Sequence, residues 1–227
     1  LKARETSLGA DNGIAVAMML AVARGACAHG PVDLLFTIDE ETGLTGAIGL
    51  DPSMLRHDYL LNIDSEEEEI LYIGCAGGVE TVGDIPLERS PVPLGLHSVR
   101  LGVEGLLGGH SGTDIHDFRG NALLMLGRIL WHEGKSLPFR ICEIHGGDKH
   151  NVIPREAWAE LALTDQELAH FESRISWWQK AFAEEFGDRE PKVAVVLQKG
   201  PSLALALTQA SRDRVTAFMR TIWHGVI

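Results

Sequence analysis

The sequence predicts an α/β unit followed by an α+β unit of ferredoxin-like order. Two apolar runs that each finish in acidic residues predict the first unit. Six segments that alternate strand, helix, strand, strand, helix, strand predict the second. The character of the chain changes at Gly77 and Gly78, so the expected units are 1–77 and 78–227.

In the first unit, residues 11–24 read as a turn followed by a helix. Ala15, Met18, Met19, Val22 and Ala23 recur at helical spacing, and Asp11-Asn12-Gly13 stands before them. The run 32–38 lies between Gly30-Pro31 and Asp39-Glu40-Glu41, as a strand buried on both faces would. Residues 47–55 read as a short helix. A second buried strand, 59–63, leads directly into Asp64-Ser65-Glu66. In the second unit, 80–87 and 98–104 alternate like half-exposed strands, and 121–132 is helical. Segments 139–145 and 157–164 are strands. Thr164 with Glu167 forms a capping box that opens a helix running to about 186. Residues 192–198 close the pattern as a strand, and 203–223 reads as a further helix.

Composition narrows the function. Of 227 residues, 45% are apolar and 23% charged, which suits a globular protein with a real core. The formal net charge of -12 excludes a nucleic-acid partner, because phosphate binding needs clustered Lys and Arg. The apolar run 13–23 is too short to span a bilayer, so no membrane partner is expected. Cys27, Cys75 and Cys142 fit neither a zinc ribbon nor a disulfide framework. They point to a reducing, cytoplasmic compartment, and Cys75 reads as a small buried residue. The chain starts at Leu1 and stops at Ile227 as an internal fragment would.

Acidic residues mark the ends of the expected first-unit strands: Glu40 and Glu41 after one, Asp64 after the other. Asp11 precedes the first helix. Open α/β sheets bind ligands beyond the carboxyl ends of their strands. Carboxylates gathered on that rim repel one another unless cations or protons intervene. One such acid is ordinarily just solvated; all of them together point to a metal.

Six motifs then occur in a familiar order. They are Ser7-Leu8-Gly9-Ala10-Asp11-Asn12-Gly13, Asp39-Glu40-Glu41-Thr42-Gly43, Asn62-Ile63-Asp64-Ser65-Glu66-Glu67, Gly74-Cys75-Ala76-Gly77-Gly78, Gly108-Gly109-His110-Ser111-Gly112 and Asn151-Val152-Ile153-Pro154-Arg155. With them the chain resembles the bacterial aminoacyl-histidine (Xaa-His) dipeptidases, in the superfamily of two-zinc aminoacylases, dipeptidases and carboxypeptidases. The resemblance implies a partial catalytic domain with a zinc-peptidase-like sheet over 1–77, and an incomplete lid and dimerisation domain over 78–227. It implies hydrolysis of carnosine-like and other dipeptides, and a homodimer through the lid. It also implies two zinc ions per complete site, with manganese or cobalt as alternatives.

Carried over by position, Asp11 bridges the two metals, Glu41 binds one and Asp64 the other. Glu40 is the general base, moving a proton from metal-bound water to the leaving amine. His110 steadies the oxyanion and touches substrate, and Asn151 contacts substrate. His116, His145 and His150 carry no role, and Trp177 and Trp178 are packing residues. The resemblance also requires two histidine ligands, one upstream of Leu1 and one downstream of Ile227. Carboxylates alone suit magnesium, calcium or manganese better than zinc, so the fragment alone is expected to be inactive. The rival readings are an aminoacylase or carboxypeptidase of the same superfamily, and a noncatalytic dimerisation module. A calcium-binding surface protein is disfavoured by the lack of an EF-hand loop.

Overall fold

The computed structural model describes residues 12–65, 69–75, 77, 79 and 81–226. The chain divides into two compact units, Leu1–Glu80 and Thr81–Ile227, each considered by itself below.

The second unit is built on a four-stranded antiparallel sheet of β2 (His97–Glu104), β4 (Arg140–Gly146), β6 (Ala157–Leu163) and β7 (Ala194–Lys199). Their order across the sheet is β4-β6-β2-β7. Helices α3 (Ala122–Glu133) and α4 (Asp165–Phe186) form the crossovers, which gives the expected ferredoxin-like order. Alternation along the strands decides which face is covered. Val99, Leu101 and Val103 of β2 join Ala159, Leu161 and Leu163 of β6 in one core with Leu126, Ile129 and Leu130 of α3 and Phe171 and Phe182 of α4. Each fully buried large side chain contributes on the order of 1.5–3 kcal/mol.

The intervening residues face the other side of the sheet. There Arg100 Nε donates to Glu160 Oε1 at 2.6 Å, and its guanidinium lies 5.2 Å from the Trp158 ring centroid. Part of this side is covered by a ribbon of β1 (Arg89–Pro91) paired antiparallel with β8 (Leu205–Leu207). Val92, Leu96 and Leu203 pack there against buried Cys142, Ala162 and Ala206. Burial pushes the Cys142 thiol up from its ordinary range.

Helix α4 starts where Thr164 predicts. Its hydroxyl accepts from Glu167 N at 3.3 Å, and Glu167 Oε2 accepts from Thr164 N at 2.8 Å, so the capping box is complete. Two other expectations need correcting. The helix expected over 203–223 begins later, as α5 (Gln209–Thr221), because the Thr208 hydroxyl caps Ser211 N. Residues just before it pair as β8 instead. The strand expected over 80–87 is not formed by described residues 81–87; the paired strand is β1, where β8 supplies a partner. A strand exists only where another backbone completes its ladder.

In the first unit, α1 (Gly13–Ala23) forms as expected, with Asn12 Oδ1 accepting from Ala15 N at 3.0 Å. The short helix expected over 47–55 resolves into α2 (Thr45–Ile48) and a 3-10 turn, Pro52–Met54. The strands expected over 32–38 and 59–63 carry no ladder among the described residues. Tyr59, Leu60 and Leu61 are largely exposed. A strand buried on both faces needs neighbours at both edges and a layer above and below. One three-turn helix and its connections do not provide them. Cys75, expected to be buried, is exposed for the same reason.

Among the described residues no helix is long and apolar enough to cross a membrane.

A buried carboxylate ties α3 to α4. Glu133 accepts from His170 Nε2 at 2.7 Å, Trp178 Nε1 at 2.8 Å and Arg174 Nε at 3.4 Å. Burial pushes its carboxyl up, but the bonds from His170 and Trp178 and the Arg174 charge outweigh that. The net result lies below the ordinary value of 4.5. A depressed carboxylate stabilises the fold fully above the unfolded value and loses that contribution as pH falls through the folded one. Glu133→Ala is expected to cost about 3 kcal/mol near neutrality, since it strands buried donors. In urea titrations the gap between wild type and variant should be constant above pH 4.5 and shrink in stronger acid.

Candidate functional site

In the first unit, Asp11 lies outside the described residues. Its neighbour Asn12 joins two parts of that unit. While its oxygen caps α1, its Nδ2 donates to Ile63 O at 2.8 Å and to Asp64 Oδ1 at 3.1 Å. Asp64 N in turn donates to Asn62 Oδ1 at 3.1 Å. The 62–64 segment is thereby fastened to the start of α1, and the Asp64 carboxylate stands where a helix N-terminus favours negative charge.

Glu40 and Glu41 occupy a turn entered through Asp39, whose φ of +56° is the left-handed conformation that turns the chain back. Thr45 Oγ1 donates to Asp39 Oδ2 at 2.9 Å, and Leu44 N donates to Asp39 O at the same distance. Both glutamates are exposed. Among the described residues, no group of three or more His, Cys, Asp or Glu side chains stands close enough to hold a metal ion. Glu40, Glu41 and Asp64 are therefore not assembled into one cluster there. The described donors do not by themselves fit a zinc site, which normally takes nitrogen or sulfur ligands.

The second unit does bring two expected residues together. Past Val103↔Ala157, the β2–β6 ladder is interrupted and resumes as β3 (Gly109–His110) against β5 (Val152–Ile153). Leu106 N donating to Arg155 O at 3.3 Å links the two stretches. The first strand takes more residues over this interval than the second. Gly105 (φ +79°) and Gly108 (φ +68°) absorb the excess in a conformation open to glycine. The register places His110 opposite Val152, and Ser111 N donates to Asn151 O at 2.9 Å. His110 and Asn151 thus lie one register position apart at the exposed end of this ribbon.

The ring of His110 is oriented by its own turn. Gly112 N and Thr113 N both donate to Nδ1, at 3.0 and 3.2 Å. A nitrogen accepting two N–H groups carries no proton, so the neutral ring holds its proton at Nε2. That leaves His110 as an exposed N–H donor. Asp114 and Arg119, which the sequence reading missed, hold the turn from beneath. Asp114 Oδ2 accepts from His110 N at 2.7 Å, Arg119 Nη1 donates to Gly108 O at 2.7 Å, and the two side chains pair at 3.3 Å. Opposite charges a few residues apart around Gly108-Gly109 were the available signal.

The other histidines and tryptophans singled out in the sequence make local contacts. His116 pairs with Asp117 at the surface, and His145 stacks on Trp158 at 5.4 Å. Trp178 is buried, and Trp177 packs edge-on against it at 4.8 Å.

Residues 101–190, most of this sheet and both crossover helices, match the M20 peptidase dimerisation domain. Over its whole length the chain is 40% identical to the cytosol non-specific dipeptidase of Escherichia coli K12, covering 47% of that protein. Among solved structures, the aminoacylhistidine dipeptidase of Vibrio alginolyticus matches all of this chain at 35% identity with a TM-score of 0.74. The chain covers 46% of that protein, so it spans about half the length of these relatives.

Gly109 is the position in the ribbon that tolerates substitution least. Its φ is +148°, and an added Cβ would stand 2.5 Å from Arg119 Nη1 and 2.7 Å from Asp114 Oδ2. Gly109→Ala should cost about 1–3 kcal/mol locally. Amide hydrogen exchange at Gly112 and Thr113 should accelerate in the variant, while exchange in β2 and β6 stays unchanged.

Proposed function

We propose that this protein is a cytoplasmic, metal-dependent dipeptidase acting on Xaa-His and carnosine-like dipeptides. What carries the reading is the ribbon, which presents an exposed Nε2–H donor at His110, with Asn151 one register position away. An N–H of fixed direction is the group needed to stabilise a tetrahedral oxyanion. In this reading Nε2 of His110 donates to that oxygen and Asn151 contacts the substrate backbone. Glu40, an exposed carboxylate with no side-chain partner among the described residues, accepts a proton from the attacking water. It then returns the proton to the departing amine.

Asp11, Glu41 and Asp64 would hold the metal pair, with zinc the expected ion and manganese or cobalt the alternatives. Such ions supply Lewis acidity and lower the pKa of bound water. Because these donors are all carboxylates, residues 1–227 alone should be inactive and bind zinc weakly. Calorimetric titration of the isolated chain should show no tight zinc site; two tight sites would contradict the assignment. A homodimer through the second unit completes the proposal, supported by the dimerisation-domain match over 101–190.

The deciding experiment is Glu40→Gln in the full-length protein. Turnover of β-alanyl-histidine should fall by roughly a hundredfold or more while metal content is nearly unchanged. Loss of both metals in that variant would make Glu40 a ligand and overturn its role as base. Parallel assay of an N-acyl amino acid separates a dipeptidase from an aminoacylase.

A further inference from the structure

The turn that carries His110 is anchored at both ends by a single side chain. Glu190 is 1% exposed. Its Oε2 accepts from Leu107 N at 2.8 Å and its Oε1 from Gly120 N at 2.7 Å. Those two amides lie just outside the segment that contains the glycine pair, His110, Asp114 and Arg119. One buried carboxylate therefore closes the base of the whole loop. Its two oxygens are both used on backbone amides, and no cation neutralises it among the described residues. A buried carboxylate without a counter-charge is costly to keep, and a merely structural tie could be made with neutral groups.

The loop it closes is under backbone strain. Phe118, a bulky residue, sits at φ +54° immediately before Arg119 and Gly120. Such a conformation persists only where the surroundings hold it. Here the hold comes from the turn after α4. Arg189 Nη1 donates to Phe118 O at 3.4 Å, and Glu190 grips Gly120 N. Gly120 leaves little slack, since an added Cβ would stand 2.6 Å from Leu106 Cδ2. Arg119 then reaches forward to Gly108 O and to Asp114, which receives His110 N. Hydrogen bonds joined through the Phe118–Gly120 backbone thus connect the turn after α4 to the backbone of His110.

We propose that Glu190 is a positioning residue for His110. By fixing the two ends of the loop, it holds Gly112 N and Thr113 N against Nδ1 and so keeps the proton on Nε2. Its consequence for turnover rests on the dipeptidase reading of His110; its consequence for the ring does not.

The test uses the full-length protein with nitrogen-15-labelled histidine, and compares wild type with Glu190→Gln. Gln matches the size of Glu but can accept with only one oxygen, so one amide faces an NH2 group. In wild type, the His110 ring signals should show a proton-free Nδ1 and a protonated Nε2. In Glu190→Gln they should move towards a mixture of tautomers. The kcat for a dipeptide should fall roughly ten- to a hundredfold, with KM within about twofold. Glu190→Asp, which can reach only one amide, serves as a second variant with the same readouts. Glu133→Gln alters another buried carboxylate and should lower stability without moving the His110 signals. Unchanged His110 signals in both Glu190 variants would overturn the proposal, as would an equal change in Glu133→Gln. A shifted tautomer with undiminished kcat would uphold Glu190 as a positioning residue and overturn the catalytic reading of His110.

Discussion

The pairing of β2 with β6 is the constraint on which the second unit depends. It runs from His97↔Leu163 to Val103↔Ala157 and sets which side chains face the helices. A one-residue slip of β2 would turn Leu101 out of the core and bring Arg100 in. The same ladder, after a break at two glycines, continues as the ribbon that holds His110 opposite Val152. The burial that stabilises the sheet therefore also fixes the placement of two side chains with chemical potential. Apolar packing determines the register, and the register determines the site.

Electrostatics acts on this frame at a few buried or half-buried points. Glu133 joins α3 to α4, and Arg212 donates to Leu137 O and Phe139 O beyond the end of α3. Asp114 and Arg119 brace the His110 turn. These groups sit where backbone leaves a regular element, because that is where carbonyls and amides lack partners. With a net charge of -12, most acids in this chain are solvated. Of the buried ones, Glu133 receives several donors, Glu167 caps α4 and Glu190 closes a loop. Glu160, by contrast, meets Arg100 through Oε1, and its Oε2 has no hydrogen-bond partner among the described residues.

Legibility in the sequence followed from whether an element's signal was local. Helix α4 was readable because Thr164 and Glu167 cap it within one turn. The strands of the sheet were readable because Val99, Leu101 and Val103 alternate against a core the same unit supplies. Ribbons β1–β8 and β3–β5 were not readable, since two- and three-residue strands are specified by their distant partners. In the first unit the runs 32–38 and 59–63 signal burial, but no described neighbour there buries them. His110 and Asn151 were found through the motifs around them, whereas their adjacency came only with the register. Asp114 and Arg119 gave a faint local sign. Glu190, next to Pro191, gave none, because its partners at Leu107 and Gly120 are remote in sequence.

Two-dimensional NMR across the ribbon tests the central claim most directly. If the β2–β6 ladder continues into β3–β5, cross-strand nuclear Overhauser contacts should join His110 to Val152 and Gly109 to Ile153. The Ser111 amide should exchange slowly, in keeping with its bond to Asn151 O. The contradicting result is the absence of those contacts, with a fast-exchanging Ser111, in a protein whose Val103–Ala157 contacts are intact.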